Sequence, residues 1–267
     1  MEIEEKRIML PRYIPWMFHS RNRNLCELSF VVDMNKMLKV LEVLSRYHVK
    51  VLYIAGYSFS KEDKINILLF VDVSEVSLDI FQKIVSELKK LTKSPIQYTR
   101  SRSNDEVFIE ELSFPLYADP ETRVLLLSAD FLANIIRGLY EKYGDVASTI
   151  LYNFAYCGGE YIVKNFSRRY RFERKEKLIC EMTKLCQATG WCRVEIEELD
   201  LDNYYVVLKV YNSFECEALK YRKKPSSHLL RGLFSGVFSA ILEKDVYFEE
   251  KACIAKDDPY CLFYLKI

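Results

Sequence analysis

The sequence predicts an α+β protein with two domains, and three observations predict it. Half of the 267 residues are apolar and 29% are charged, a folding composition rather than a disordered one. From Leu25 to Thr99, apolar residues at alternating and at helical spacing follow each other as strand, helix, strand, strand, helix, strand. Beyond a polar stretch that carries Pro115 and Pro120 the rhythm changes, with helices first and strands mostly later. The expected division is an arm over 1–24, a first domain over 25–104, a linker over 105–122 and a second domain over 123–267.

The arm holds Pro11, Pro15 and the aromatics Tyr13, Trp16 and Phe18, and reads as extended. In the first domain the strands are Cys26–Val32, Val49–Phe59, Ile65–Val73 and Pro95–Thr99, with a turn at Lys61–Lys64. Helices are expected over 35–47, with Asp33 or Asn35 as cap, and over 78–91. A βαββαβ order of this length gives a ferredoxin-like sandwich, with an antiparallel sheet covered on one face by two helices. In order and size this half resembles an ACT-type regulatory module. Such modules often bind amino acids at a glycine-bearing turn after the first strand. The turn here, Val32-Asp-Met-Asn35, has no glycine, so a dimerising or structural role is expected instead.

Within the linker, Val107–Leu112 reads as a strand able to extend either sheet. In the second domain, Ser128 or Asp130 can cap a helix over 131–143. Asp145 begins another, expected to end at Gly158-Gly159, and a third is stopped by Gly190. Strands are expected at Trp191–Glu198, Tyr204–Tyr211 and Phe214–Tyr221. The chain then closes with a helix over 226–242, a strand to Cys253, a polar turn and a strand from Tyr260.

The closing helix has two faces. Leu229, Leu230, Leu233, Phe234, Val237, Phe238 and Ile241 form an apolar stripe. Gly232, Ser235, Gly236, Ser239 and Ala240 form a stripe of small residues, which lets a backbone or a ligand come close. The hairpin after it carries Glu250-x2-Cys253-x7-Cys261, one hard and two soft metal donors. Residues three apart on a regular strand face opposite sides, so Glu250 and Cys253 can share a metal only if the strand bends or ends between them. Structural thiols beside a surface carboxylate, or a Cys253–Cys261 disulfide, are the other readings of this pattern. Fourth-ligand candidates are Cys216, His228 and water, with Ser227 the remaining position.

The run Leu229-Leu-Arg-Gly-Leu-Phe-Ser-Gly-Val-Phe-Ser-Ala240, together with Glu250, Cys253 and Cys261, resembles the 4-vinyl reductase domain. That family includes small hydrocarbon-binding proteins and the phenol-sensing domains of transcriptional activators. In those sensors a Cys-Glu-Cys-Cys set holds zinc. The last three members carry over to Glu250, Cys253 and Cys261, and the first falls at Ser227, a poor zinc ligand. The resemblance implies a structural zinc closing the floor of a chamber for a small hydrophobic or aromatic ligand. The walls nominated for that chamber are Phe154, Trp191, Gly232, Phe234, Gly236 and Phe238.

A net charge of +1 gives no global field for nucleic acid, and the basic runs at 168–175 and 221–224 are broken by acids and aromatics. No stretch of about 18 apolar residues could span a bilayer. No leader is expected at the charged N-terminus, and eight scattered cysteines fit reduced thiols, so a cytoplasmic place is expected. Phosphate-binding and dinucleotide glycine motifs and Gly-x-Ser-x-Gly are missing. The expected function is therefore a non-enzymatic sensor or carrier, a homodimer signalling through its ACT-like half. The alternative is a reductase or accessory acting on tetrapyrrole vinyl groups, which would need an external reductant.

Overall fold

The computed structural model describes residues 11–58, 63–102 and 104–267. The start of the expected arm, the end of the strand drawn to Phe59 and most of the Lys61–Lys64 turn lie outside the described residues. The chain forms two compact units, 1–125 and 126–267.

The first unit contains β1 (Met17–His19), β2 (Leu25–Asp33), α1 (Met37–Arg46), β3 (Lys50–Tyr57), β4 (Lys64–Asp72), α2 (Leu78–Leu91), β5 (Gln97–Arg100), β6 (Val107–Ile109), β7 (Tyr117–Asp119) and β8 (Thr122–Arg123). Its main sheet is antiparallel in the order β3-β4-β2-β5, the order of a ferredoxin-like βαββαβ unit. Both helices are amphipathic. Val40, Val43 and Leu44 from α1 and Phe81, Ile84, Val85 and Leu88 from α2 are buried with Leu28, Phe30, Ile67 and Leu69 of the sheet. Ser77 caps α2 by accepting from Ile80 N, while Asp33 makes no cap bond and pairs with Lys36 and Lys93.

Where the sequence suggested a strand that extends one of the large sheets, β6 instead pairs with β1 in a separate two-stranded sheet. Phe108 and Phe18 from these strands pack with Phe70, Leu25 and Tyr53 in a second small core. The buried Glu27 carboxylate accepts from Glu111 N (3.0 Å) and Leu112 N (3.3 Å) and so pins the segment that follows β6.

The second unit contains α3 (Ala129–Tyr143), α4 (Val146–Arg169), α5 (Lys175–Ala188), β9 (Arg193–Asp200), β10 (Tyr205–Tyr211), α6 (Phe214–Ala218), α7 (His228–Leu242), β11 (Tyr247–Ala252) and β12 (Cys261–Lys266). The sheet order is β11-β12-β10-β9, antiparallel throughout. Mixed helix and antiparallel sheet make the protein α+β. Among the described residues no helix is long and apolar enough to cross a membrane.

Two expectations are corrected here. α4 does not stop at Gly158-Gly159 but runs on to Arg169. A Cβ at Gly159 would stand 2.4 Å from Leu233 O and 2.8 Å from Val237 N, so this glycine serves close packing against α7 and not termination. The segment expected as a strand at Phe214–Tyr221 is the short helix α6 followed by a single 3-10 turn. Ser213 caps α6 by accepting from Cys216 N at 3.2 Å.

The small stripe of α7 is used in the same way. A Cβ at Gly232 would lie 2.1 Å from Tyr152 O, and one at Gly236 would lie 2.0 Å from Tyr156 O. Ser235 Oγ accepts from Phe248 N at 3.1 Å, and Ser239 Oγ joins both Val246 N and Val246 O. α7 is thus clamped between α4 and the sheet, with its apolar stripe at the centre of the core.

Candidate metal centre and ligand chamber

The sequence brings four donors together at the start of α7. Their ligand atoms, on Cys216, Glu250, Cys253 and Cys261, all lie within 4.8 Å of one another. Glu250 and Cys253 share the site because the β11–β12 register shifts between Glu250 and Ala252 and the strand ends there. Cys253 N then donates to Asp258 Oδ2 (2.8 Å), Lys256 N donates to Cys253 O (2.8 Å), and Asp257 takes a positive φ of 68°. This tight turn returns the chain so that Cys261 faces Cys253.

Cys216 comes from α6. Its position is set by its neighbour Glu215, which is fully buried and accepts from Leu229 N (2.8 Å) and Leu230 N (3.1 Å). Glu215 therefore does the N-capping of α7 that Ser227, at the cap position, does not. Burial pushes the Glu215 carboxyl up to about 8, against the two backbone donors that pull it down. The Ser227 hydroxyl is turned instead into the cluster. It donates to Glu250 Oε1 at 2.6 Å and lies 2.8 Å from Cys216 Sγ and 3.4 Å from Cys261 Sγ.

Cys216 Sγ lies 3.7 Å from Cys253 Sγ and 3.6 Å from Cys261 Sγ. A tetrahedron with zinc–sulfur bonds of about 2.3 Å has sulfur–sulfur edges of about 3.8 Å. The spacing therefore fits such an ion without moving the backbone. Hydrogen bonding from Cys216 and then Cys261 holds the Cys253 thiol well below its usual range, while that same contact pushes Cys216 up. Burial, and then the charge of Cys253, push Glu250 up to about 8. Backbone N–H groups of Ser226 and Ile254 point at the sulfurs of Cys253 and Cys261, each at 3.4 Å, the outer hydrogen bonds a thiolate site needs. The donor set, three thiols and one carboxylate, suits a soft-to-borderline divalent cation.

Of the fourth-ligand candidates, Cys216 supplies a thiol and Ser227 only its hydroxyl. His228 is outside the donor group and meets Arg231 Nη2 through Nδ1 at 2.9 Å. One helical step from Ser227 turns it by about 100°. Cys253 and Cys261 are free thiols, as are the other six cysteines.

A cavity of about 170 Å³ lies between α4, α5 and α7. Its walls are Ile162, Ile179, Met182, Leu185, Trp191, Leu233, Phe234, Val237 and Phe238, with Thr183, Cys186 and Thr189 as the polar members. Both threonine hydroxyls already donate to backbone carbonyls of α5. Three of the nominated wall residues, Trp191, Phe234 and Phe238, line this chamber. The other three do not. Phe154 is 73% exposed on the outer side of α4, and Gly232 and Gly236 are covered by the α4 backbone. The sequence missed Ile162, Ile179, Met182 and Cys186 because their helical spacing is that of any core face.

Residues 206–267 match the family model of the 4-vinyl reductase domain, so the closing part of the second unit carries that domain. The match covers Cys216, Ser227, all of α7, and Glu250, Cys253 and Cys261. The chain is also 24% identical, over 69% of its own length and 85% of the relative's, to an uncharacterized protein of Methanocaldococcus jannaschii. Among solved structures it is loosely similar to the phenol-responsive sensory domain of the transcription activator PoxR with phenol. That likeness has a TM-score of 0.49 and 15% identity, and covers 71% of this chain and 90% of the other. A vinyl-4-reductase family protein from Methanocaldococcus jannaschii has a TM-score of 0.39 at 17% identity, covering 54% of this chain and 83% of the other. The palmitate-bound trafficking protein particle complex subunit 3 of Naegleria fowleri gives 0.41 at 16%, covering 52% and 93%.

Proposed function

We propose that this protein is a ligand-binding sensor or carrier, whose second unit takes a small apolar or aromatic molecule into the chamber beside α7. The observation that carries this reading is the chamber itself. Apolar cavities of about 150 Å³ stay dry and take up benzene-sized molecules, and this one, at about 170 Å³, has walls that are almost wholly aliphatic and aromatic. Its polar hydroxyls are spent on helix carbonyls, so it selects for shape and apolarity more than for hydrogen bonding.

The metal is zinc, held by Cys216, Glu250, Cys253 and Cys261. Its role is structural: it ties α6, the start of α7 and the β11–β12 hairpin together, and all four positions are filled by the protein. The first unit, with its βαββαβ order, carries the response as a regulatory or self-associating module. Calorimetric titration with toluene tests the chamber. We expect saturable binding with a negative heat-capacity change, lost when Val237→Trp fills the space in a protein that still folds. A wild-type chain that binds neither toluene nor phenol nor naphthalene contradicts the reading.

A further inference from the structure

Cys186 is unlike the other chamber walls. It is a thiol whose residue is only 8% exposed, set in the aliphatic and aromatic lining on the last turn of α5. A second thiol is brought to it by the chain that follows. Gly190 takes a φ of +80°, open to glycine at little cost, and Trp191 N donates back to Cys186 O at 2.9 Å. This turn folds Cys192, 5% exposed, onto the end of α5, where its thiol hydrogen-bonds the Cys186 sulfur. The metal centre does not use either residue, and neither is needed to explain why the chamber is apolar.

We infer that Cys186 is a covalent capture site for small apolar electrophiles of the enone class that enter the chamber, with Cys192 as its hydrogen-bond donor. This rests on the chamber taking apolar molecules, as proposed above. In the step, the Cys186 sulfur bonds to the β carbon of the enone and the carbon–carbon π bond breaks. Its electron pair moves to the carbonyl oxygen as an enolate. The proton lost from Cys186 returns to the enolate by way of the Cys192 thiol. Thiol and enone sum to a thioether ketone, so no oxidant or reductant enters. The hydrogen bond from Cys192 holds the Cys186 thiol below its usual range despite burial, which favours the nucleophilic thiolate. An apolar cavity adds selectivity, because it concentrates the apolar electrophile beside the sulfur and excludes charged thiol reagents.

The test uses the full chain and a matched pair of probes, benzylideneacetone and its saturated counterpart benzylacetone. Peptide mapping by mass spectrometry follows adducts on each cysteine, and calorimetry follows binding of the saturated probe. We expect benzylideneacetone to modify Cys186 at least about tenfold faster than the exposed Cys157, with saturation in probe concentration and competition by benzylacetone. Cys192→Ala should slow the reaction about tenfold, the worth of one hydrogen bond to a charged group, while benzylacetone binding persists. Cys186→Ala should abolish that adduct and also keep benzylacetone binding. If benzylacetone binds but Cys186 reacts no faster than Cys157, this inference is overturned and the chamber reading stands. Failure of benzylacetone to bind overturns both.

Discussion

Replacing Cys216 by alanine removes a corner of the proposed zinc site without touching the hairpin. Outer partners of metal ligands are commonly worth about 10–100-fold in affinity, so loss of this direct donor should weaken zinc by more than about 100-fold. His228→Ala should leave the affinity unchanged, because His228 faces Arg231. A competition titration against a chelator reads both, and equal affinities for wild type and Cys216→Ala would remove Cys216 from the site. Cys216 was visible in the sequence only as one of several fourth donors. What fixes it in place is a long-range contact, the Glu215 carboxylate on Leu229 N and Leu230 N, which no local pattern announces. Glu27 supports a second prediction at this scale. Burial pushes its carboxyl from 4.5 up to about 7, against the Glu111 and Leu112 backbone donors. Between those values the folded chain holds a proton that the unfolded chain has lost, so the stabilisation is full at low pH and is lost as pH rises through 7. Stability of the first unit should therefore fall across this window, by at most about 1.4 kcal/mol per pH unit. Glu27→Gln should flatten the profile in urea unfolding, and an unchanged slope would contradict the assignment.

The two long helices of the second unit show which elements a sequence reveals. The apolar stripe of α7 was plain from its spacing and is buried as expected. Its small stripe was equally plain, but spacing alone does not say whether a helix or a ligand fills the gap. Here α4 fills it, and because α4 continues through Gly158-Gly159, the usual meaning of paired glycines as a helix stop misleads. The same misreading made a strand of 214–221, although Ser213 stands at a helix cap with Glu215 and Glu217 in the first turn. Packing now separates these glycines. Gly232→Ala and Gly236→Ala each place a Cβ about 2 Å from an α4 carbonyl oxygen. They should cost more than about 3 kcal/mol, or prevent folding, as overpacked contacts between backbones do. Gly158→Ala meets nothing within 4 Å and should stabilise by about 0.5–1 kcal/mol through helix propensity. Thermal unfolding of the three variants would show it, and a tolerant Gly236→Ala would refute the close α4–α7 approach.

At the scale of the whole molecule, every donor of the metal centre and every wall of the chamber belongs to 126–267. A chain of those residues should therefore keep zinc and toluene affinity within about twofold of the full protein, since the site borrows nothing from the first unit. Loss of both in a fragment that still folds would mean the first unit contributes to the site. The two-part division and the α+β class were legible because period-two and helical stretches are long and change order only once. The pairing of β1 with β6 was not, since two three-residue strands far apart in sequence carry too little pattern to find each other. The central claim is a zinc-tied domain holding a small apolar molecule. Its most direct test is native mass spectrometry of the full chain, purified without added metal or chelator, beside the Glu250→Ala/Cys253→Ala variant. The account predicts one zinc ion on the wild type and none on the variant, with a small apolar molecule accompanying the zinc-bound chain. A wild-type chain that is bare and fully reduced would contradict it.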